Sequence, residues 1–514
     1  ASSPASGNRV YDDYGTVGGG TNNVAGADDG TMFTQRHATV AGGNSNTASA
    51  PAASVGGGFN NVAAASFATV SGGGSSSPAN GNRVYDDFGT VSGGGNNVAG
   101  TDDGNPNTHR FSTVGGGNSN TASGSDATVA GGSGNTASAF AASVGGGFNN
   151  VAAANYATVS GGGSSSPATG NRVYDDYGTV GGGGNNVAGA DDGTMFTQSY
   201  ATVGGGEDNT ASAPSATIAG GSGNTASASR ASIGGGSGNV AAGNNATVGG
   251  GQFNSAGSQG ATVSGGASNF ASNSYATVGG GVSNLANGSR ATVAGGENNL
   301  ASGAYGTVPG GASNAAVGDY SFAAGRGAKA DHDGAFVWAD DTNANFASTG
   351  ADQFRARASG GVFFYSNSAA TVGVRLLPGG NSWSAISDST QKEHFLPADG
   401  ERFLGAIAGM RLGSWNYKDQ PDAVRHYGPM AQEFFAAFGR DGRGVIGTDT
   451  TLASADVDGV LFILVQALER RTAELQAALA EVEALRAAAA ATEGRLARLE
   501  AALTPAPAAA RADR

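Results

Sequence analysis

The sequence predicts a mainly β protein, in which a trimeric β-solenoid or β-roll fibre of 15-residue repeats precedes a small α+β module and a C-terminal trimeric coiled coil. Three observations lead to this fold class. The chain of 514 residues contains 92 glycines, it has only Leu285 and Leu300 before Leu376, and its sequence repeats with a period of 15. A chain so poor in large aliphatic residues must stack small residues regularly, because it cannot fill an ordinary core.

The repeat unit reads approximately A-T-V-x-G-G-x-x-N-x-A-S-x-x-Y/F. It starts eighteen times between Gly15 and Gly306, and a degenerate start follows at Ser321 and Phe322. Each glycine inside a helix costs about 1 kcal/mol relative to alanine, so the consecutive glycines of each unit argue against helix. We therefore predict a short β-strand followed by a glycine-rich turn in every unit, over residues 1–330.

Asparagine occupies the ninth place of nearly every unit. In stacked coils these side chains would either form a hydrogen-bonded ladder or take the left-handed conformation that asparagine tolerates. One coil buries too little apolar surface to be stable alone, so we expect neighbouring coils to stack and partner chains to complete the core, as in a homotrimer. The asparagines include Asn46, Asn61, Asn120, Asn135, Asn209, Asn224 and Asn269.

Two kinds of insertion interrupt the repeat. Six extra residues lie near Ser75 and eight near Asp102, and both recur, around Ser164 and Asp191. Insertions at fixed places in a solenoid map to loops on one face, and we expect these loops to carry Tyr-Asp-Asp-Tyr or Tyr-Asp-Asp-Phe motifs. The motifs could contact calcium or a sugar, but a solvated turn stabilised by aspartate is the interpretation we favour. They span residues 11–14, 85–88 and 174–177.

Composition argues against several classes of protein. A formal net charge of −14 predicts no nucleic-acid partner, because such partners require a basic surface. The absence of cysteine excludes disulfides and is typical of an exported chain that folds without oxidation. No run of about 18 apolar residues occurs, so we expect no membrane insertion. We predict no metal and no cofactor, since His37, His109, His332 and His394 are scattered. The first residue is not Met, which predicts a processed or truncated start.

The composition changes after Tyr320, where tryptophan and larger aliphatic residues appear. Residues 331–386 predict a β-rich neck, with strand-like runs at residues 361–365 and 372–376. Residues 387–459 mix helix-like and strand-like patterns, which predicts the small α+β module.

Residues 460–504 predict a coiled-coil helix, because leucines recur mostly at spacings of three, four and seven. An oligomer follows from that seam. A membrane-surface helix is the competing interpretation, but the polar face is too acidic for it. We predict a frayed tail at residues 505–514. The seam comprises Leu461, Leu464, Leu468, Leu475, Leu479, Val482, Leu485, Leu496, Leu499 and Leu503.

The candidate chemistry lies at Ser387 and Lys392, which is one of only three lysines in the chain. A serine hydroxyl near a neutral lysine amine can be activated as a nucleophile, with the amine as general base. On residue types alone this spacing is more often a solvated loop than a site.

The surrounding motifs resemble a known domain. Five features in this order are similar to the endosialidase-type intramolecular chaperone domain, which is also classed as an S74 peptidase. They are Ser387-Asp388 with Lys392-Glu393, residues 415–417, residues 426–433, residues 456–460 and a heptad helix. The resemblance covers roughly the last 130 residues. The repeats more loosely resemble the β-roll heads of trimeric autotransporter adhesins, particularly over residues 320–338.

The resemblance implies a trimeric helper that templates folding of the fibre and then cuts itself away. The implied cut is the Ile386-Ser387 bond, with Ser387 as nucleophile and Lys392 moving protons, while Asp388 orients the lysine or a turn. The family commonly has Arg where this chain has Thr390.

His426 and Gln432 match the family's H-x-G-x-x-A-Q stretch. We expect this pair to form a hydrogen-bonding brace between protomers rather than to act in catalysis.

The combined interpretation is a structural and adhesive fibre, at the cell surface, outside the cell or on a virion tail. Its partners would be two further copies of the chain and a cell-surface glycan or matrix. The only expected enzymatic activity is a single self-cleavage. A polysaccharide-degrading spike and an uncleaved passive filament are the alternatives. Against the spike, no paired-carboxylate pattern is distinct from the repeated Asp-Asp turns.

Overall fold

The structure is a computed structural model that describes residues 7–164 and 170–504. The chain divides into two compact units, residues 1–359 and 360–514. The predicted tail at residues 505–514 lies outside the described residues.

The first unit is a β-solenoid built from two parallel ladders of short strands. A typical 15-residue coil contributes a Thr-Val strand to one ladder, here called the threonine ladder, and a strand that ends in alanine to the other, here called the alanine ladder. Val40 pairs with Val55, and Ala48 pairs with Ala63, one coil further on. Each ladder has 21 strands among the described residues. At about 4.8 Å per strand, the stack is about 100 Å long.

The strands of the threonine ladder are Thr16–Val17, Thr39–Val40, Ser54–Val55, Thr69–Val70, Thr90–Val91, Thr113–Val114, Thr128–Val129, Ser143–Val144, Thr158–Val159, Thr179–Val180, Thr202–Val203, Thr217–Ile218, Ser232–Ile233, Thr247–Val248, Thr262–Val263, Thr277–Val278, Thr292–Val293, Thr307–Val308, Phe322–Gly325, Phe336–Ala339 and Phe354–Arg357. Those of the alanine ladder are Arg9–Val10, Val24–Ala25, Thr47–Ala48, Val62–Ala63, Arg83–Val84, Val98–Ala99, Thr121–Ala122, Thr136–Ala137, Val151–Ala152, Arg172–Val173, Val187–Ala188, Thr210–Ala211, Thr225–Ala226, Val240–Ala241, Ser255–Ala256, Phe270–Ala271, Leu285–Ala286, Leu300–Ala301, Ala315–Ala316, Ala328–Ala330 and Phe346–Ala347.

The predicted period and strand are confirmed. The eighteen threonine-ladder strands from Thr16–Val17 to Thr307–Val308 coincide with the eighteen repeat starts. The sequence pattern did not reveal the second strand of each coil, because its first residue varies and its second is usually a small alanine. Parallel pairing continues to Arg357, through the first part of the segment predicted as a neck. The domain boundaries themselves stay a prediction.

The core of the solenoid closes inside one chain. Val40, Ala48 and Ala53 are fully buried, and their equivalents in the other coils form one continuous apolar cluster. The stacking that we predicted is therefore present, but partner chains are not needed to bury these side chains. The reason is size, since alanine and valine let the two ladders approach closely enough to exclude water.

The ninth-place asparagines form the predicted hydrogen-bonded ladder. Asn61 accepts the N–H of Asn82 at 3.0 Å and donates to the carbonyl oxygens of Gly57 and Gly73 at 2.7 and 2.9 Å. The alternative of a left-handed backbone is wrong for these asparagines, because it is the preceding residue, such as Asn60 with φ 56°, that adopts it. Each buried amide thereby connects consecutive coils.

The last place of each coil is a left-handed corner that often carries an aromatic ring. Phe67, Phe88 and Phe111 have positive φ, and their rings stack at 5.0 Å from coil to coil. The corner N–H groups bond back to the preceding coil, as Phe67 does to the carbonyl oxygen of Pro51. Stacked rings and backbone bonds together hold this edge of the solenoid in register.

The second unit begins with an antiparallel sheet of β1 (Val362–Tyr365), β2 (Gly373–Leu376) and β3 (Ser384–Ala385), with β2 in the centre. Two of these strands lie within the runs predicted from sequence. A 3-10 turn follows at Ser389–Gln391. Another short 3-10 turn, at Pro78–Asn80, lies in the first unit.

From residue 392 to residue 504, the described part of the second unit contains three helices and one hairpin. Its elements are α1 (Gly400–Ala408), β4 (Gly413–Trp415), β5 (His426–Gly428), α2 (Ala431–Phe438) and α3 (Ser454–Leu503). Helix α1 packs against both α2 and α3. The long predicted helix is confirmed, and it begins six residues earlier than expected, at Ser454.

We predict that Asn224→Ala will destabilise the solenoid locally. The substitution leaves the carbonyl oxygen of Gly220 and the N–H of Asn239 without this partner, and it removes one of the two donors to the carbonyl oxygen of Gly236, which keeps the backbone N–H of Ser222. The free energy of local opening should fall by about 2 kcal/mol or more, measured by hydrogen exchange of the adjacent coils. Ser222→Ala, at an exposed position of the same coil, is the matched control. An equal effect of both substitutions would contradict the proposed importance of the ladder.

Candidate functional site

Ser387 and Lys392 lie within hydrogen-bond distance. Lys392 Nζ donates to Ser387 Oγ at 2.6 Å, and both side chains are exposed. The Ser389–Gln391 turn reverses the chain between them, so five residues of sequence return the amine to the hydroxyl. The structure thus brings the two predicted residues within the distance that a serine nucleophile and a lysine base require.

Asp388 stabilises that turn. Its carboxylate accepts the backbone N–H of Thr390 at 2.8 Å, as the N-cap of the 3-10 turn. The same backbone hydrogen bond lowers the pKa of Asp388 below its ordinary value. Of the two roles expected for Asp388, orienting the lysine or orienting a turn, the structure shows contacts for the turn.

Ile386 lies at the end of the antiparallel sheet. Strand β3 ends at Ala385, and the N–H of Ile386 donates to the carbonyl oxygen of Gly373 at 3.0 Å. The peptide bond between Ile386 and Ser387 therefore joins a strand that β2 holds to a turn that carries the serine and the lysine. Sequence reasoning did not single out Gly373. The only available signal was a glycine inside a strand-like run.

His426 and Gln432 lie in a different environment. His426 Nε2 is 2.9 Å from Oε1 of Gln420, and its ring packs on Trp415 at 4.9 Å. Gln432 is exposed in the first turn of α2 and lines an open depression beside Trp415 and Tyr417. Among the described residues, no hydrogen bond connects either residue to Ser387 or Lys392.

Helix α1 is attached to α3 by charge and by close packing. Glu401 accepts hydrogen bonds from Arg470 at 3.0 Å and from Arg471 Nε at 2.9 Å. These bonds, with the larger contribution from Arg471, lower the pKa of Glu401 below its ordinary value. Gly400 lies so close to Ala467 that a Cβ would be 2.7 Å from the alanine Cβ.

The outer side of α3 carries an uncovered apolar seam. Residues of the predicted heptad pattern are 43 to 80% exposed in the single chain. The exposed seam residues are Leu461, Leu468, Leu475, Leu479, Val482, Leu485, Leu496, Leu499 and Leu503. Leu464 is the exception, since it is buried inside the unit. A long helix with such a seam is the arrangement found in one strand of a coiled coil.

The Asp-Asp motifs lie in regular corners of the solenoid, and the inserted loops do not contain them. Asp86 is buried, and it accepts the N–H groups of Thr101 at 2.7 Å and His109 at 3.3 Å, at the two ends of the next coil's insertion. The second aspartate, Asp87, accepts the N–H of Ser66 in the preceding coil at 2.9 Å. Our expectation that the loops carry these motifs is wrong. The aspartates lie in the corners, and they accept hydrogen bonds from residues of the neighbouring coils. The contacts favour the structural interpretation.

Both kinds of insertion border the alanine ladder. The six-residue insertion precedes Arg83–Val84, and the eight-residue insertion follows Val98–Ala99. The second copy of the six-residue insertion falls partly on residues 165–169, outside the described ranges. The two kinds of loop therefore enter at opposite ends of the strands of one ladder.

The comparisons with known proteins identify the C-terminal domain. Residues 387–443 match the model of the family Peptidase_S74, described as chaperone of endosialidase. A comparison with curated proteins found no match. The chain thus carries an endosialidase-type chaperone domain, preceded by a repeated β-solenoid. This combination fits a trimeric fibre with an intramolecular chaperone, in a family associated with trimerisation. In the described ranges, no helix meets the length and hydropathy needed to span a bilayer.

We predict that Glu401→Gln will loosen the attachment of α1 to α3 in a pH-dependent way. Because the folded-state pKa of Glu401 is lowered, its contribution to stability is present above the ordinary glutamate pKa and is lost as the pH falls through the lowered value. The substitution should lower the melting temperature of the module by about 2 °C at neutral pH, and the difference should vanish in strong acid. Glu474→Gln, at an exposed position of α3, is the control. A pH-independent effect would refute the ion-pair explanation.

Proposed function

We propose that this protein is a trimeric fibre whose C-terminal domain templates trimerisation and folding and then removes itself by cleavage at Ile386-Ser387. The observation that carries the proposal is the 2.6 Å hydrogen bond between Lys392 Nζ and Ser387 Oγ, in a segment that matches an S74 peptidase family. The serine directly follows the strand-held Ile386, which puts its hydroxyl next to the carbonyl that it would attack.

The proposed chemistry is an acyl shift followed by hydrolysis. Neutral Lys392 takes the hydroxyl proton of Ser387 as Oγ attacks the carbonyl carbon of Ile386. The carbon–nitrogen bond then breaks, and the lysine ammonium returns the proton to the Ser387 nitrogen. An ester now joins Ile386 to Ser387 Oγ. Water hydrolyses it, giving an Ile386 carboxylate and a free serine at the new N-terminus.

The proposed trimer forms through α3. Its exposed leucine seam would be buried by two copies of the same helix, which supplies the apolar contacts that the single chain lacks. His426 and Gln432 would brace this assembly between protomers. Trp415 supports that role, because its indole N–H is buried and has no hydrogen-bond partner among the described residues.

A disposable folding domain suits a repetitive fibre. Consecutive coils are nearly identical, so slipping one chain by 15 residues would preserve most contacts. A C-terminal trimer would fix the register before the solenoids associate. Its removal would leave the fibre kinetically trapped, since refolding would require the missing nucleus.

We further propose that the mature fibre is adhesive and extracellular or tail-borne, with a glycan or matrix contact. Two of the eight-residue insertions, those near Asp28 and Asp191, support a contact role, because their tips carry Met32-Phe33 and Met195-Phe196, and the two phenylalanines are 65 and 74% exposed. The corner aromatics are less suited to stacking on sugars, since neighbouring rings such as Tyr156 and Tyr177 cover each other at 4.9 Å.

We predict that freshly synthesised wild-type chain separates into two fragments at Ile386-Ser387, whereas Ser387→Ala and Lys392→Ala stay whole. Lys392→Arg should also stay whole, because its guanidinium keeps the charge but does not give up a proton. Intact mass measurement over time detects both fragments.

Ser389→Ala is the matched control for this experiment, since it removes a second exposed serine of the same loop and should be cleaved normally. If the wild type and all variants remain whole while still trimeric, the domain is a permanent cap and the serine–lysine assignment is refuted.

We predict that replacing the Met-Phe loop tips will weaken adhesion. The insertion near Asp102 supplies the matched sequence, since Asn105-Pro106-Asn107 stands where Thr31-Met32-Phe33 stands in the insertion near Asp28. The two loops share one hydrogen bond. The carboxylate of Asp103 accepts the backbone N–H of Asn105, and that of Asp29 accepts the backbone N–H of Thr31, each at 2.9 Å. Exchanging Thr31-Met32-Phe33 and Thr194-Met195-Phe196 for Asn-Pro-Asn should reduce binding to arrayed glycans and matrix polymers about tenfold.

Unchanged binding would remove the loops from the adhesive proposal. Absence of binding by the wild-type fibre to every arrayed polymer would favour a passive filament, and breakdown of an arrayed glycan would favour a polysaccharide-degrading spike.

A further inference from the structure

The two halves of the proposed scissile bond are held by different elements. On the acyl side, Ile386 continues strand β3, in which Ala385 lies opposite Val374 and Ser384 lies opposite Arg375 of β2. On the nucleophile side, Ser387 and Lys392 belong to the loop that the Ser389–Gln391 turn closes. Whether the hydroxyl faces the Ile386 carbonyl therefore depends on both elements at once.

The contact nearest to the bond on the acyl side is made by Gly373. Its carbonyl oxygen accepts the N–H of Ile386 at 3.0 Å, one residue before the attacking serine. Gly373 also lies opposite Tyr365 of β1, on the other side of the central strand. It approaches β1 so closely that a Cβ would overlap the carbonyl oxygen of Phe364. A side chain at this position would push β2 away from β1 and move the oxygen that holds Ile386.

We infer that Gly373 is a positioning residue for the proposed cleavage. It lets β2 fit between its neighbours, and its carbonyl oxygen fixes the acyl half of the Ile386-Ser387 bond against the nucleophile. This inference rests on the proposed function. One consequence is that the bond becomes reactive only when the sheet of residues 362–385 has formed, so cleavage is coupled to folding of the segment that stays with the fibre. Displacement of reacting groups by about 1 Å can cost about 100-fold in rate.

The test compares Gly373→Ala with Gly360→Ala in the full-length chain. A Cβ at Gly360 would meet nothing within 4 Å, which makes it the matched control. We expect Gly373→Ala to cleave about 100-fold more slowly than wild type and Gly360→Ala to cleave normally. The pH dependence of the residual cleavage should keep the wild-type shape, because Ser387 and Lys392 are unchanged.

A reversible disulfide between β2 and β3, here called the lock, distinguishes loss of positioning from misfolding. The chain has no cysteine, so Val374→Cys with Ala385→Cys introduces a single pair, at positions directly opposite each other in β2 and β3. Opposed antiparallel residues have Cα separations of about 4.5–5.5 Å, within the range of disulfides. In the Gly373→Ala background, the oxidised lock should restore cleavage at least about tenfold, and reduction should abolish the restoration.

The outcomes separate the inference from the proposed function. Wild type that never cleaves, like Ser387→Ala, overturns the proposed function and this inference with it. Cleaving wild type together with Gly373→Ala at the wild-type rate overturns the inference alone. A lock that gives the same slow rate when oxidised and when reduced also overturns it, since the sheet would then have formed without aligning the bond.

Discussion

The solenoid depends on one buried polar interaction that is repeated along its length. A side-chain amide in the interior is tolerated only when its hydrogen-bonding capacity is used, and each ninth-place asparagine uses it on the glycine carbonyls of its own coil and of the next. The coils also require glycine beside these asparagines. A Cβ at Gly58, where φ is 92°, would overlap the carbonyl oxygen of Gly73, which accepts from Asn61. The valines and alanines then close a narrow core around this polar spine.

The same regularity creates the problem that the C-terminal domain would solve. Every coil presents nearly the same surface, so contacts between the solenoids of different chains would discriminate poorly between registers that differ by 15 residues. Outside the heptads of α3, the described part of the second unit has no such degeneracy. It contains single features, such as the ion pairs of Glu401 and the packing of Phe403 on Phe438 at 4.9 Å, that occur once and have one register. A chain that assembles from this end would inherit its alignment.

Much of this architecture could be predicted from the sequence, because the strongest signals are local and repeated. The period located the threonine ladder, and the position of asparagine predicted the amide ladder. Features that depend on contacts between distant segments could not be predicted. The variable first residues of the alanine ladder gave no strand signal, and Asp86 was assigned to the wrong part of its coil because its partners lie in the next one.

In the candidate site too, the local contact could be predicted from the sequence and the contact between distant segments could not. Ser387 and Lys392 are close in sequence, and their contact was predicted. The contribution of Gly373 was not, because the pairing of residue 373 with residue 386 is set by the register of an antiparallel sheet.

The most direct test of the central claim is a comparison of refolding. The cleaved fibre and the full-length Ser387→Ala chain, each assembled as a trimer, would be denatured and returned to native conditions, and the in-register trimer recovered would be measured by native mass spectrometry and electron microscopy. Our account predicts that only the chain that retains its C-terminal domain reassembles with aligned ends. Equal recovery of aligned trimers from the cleaved fibre would show that the shaft sets its own register, and would contradict the account.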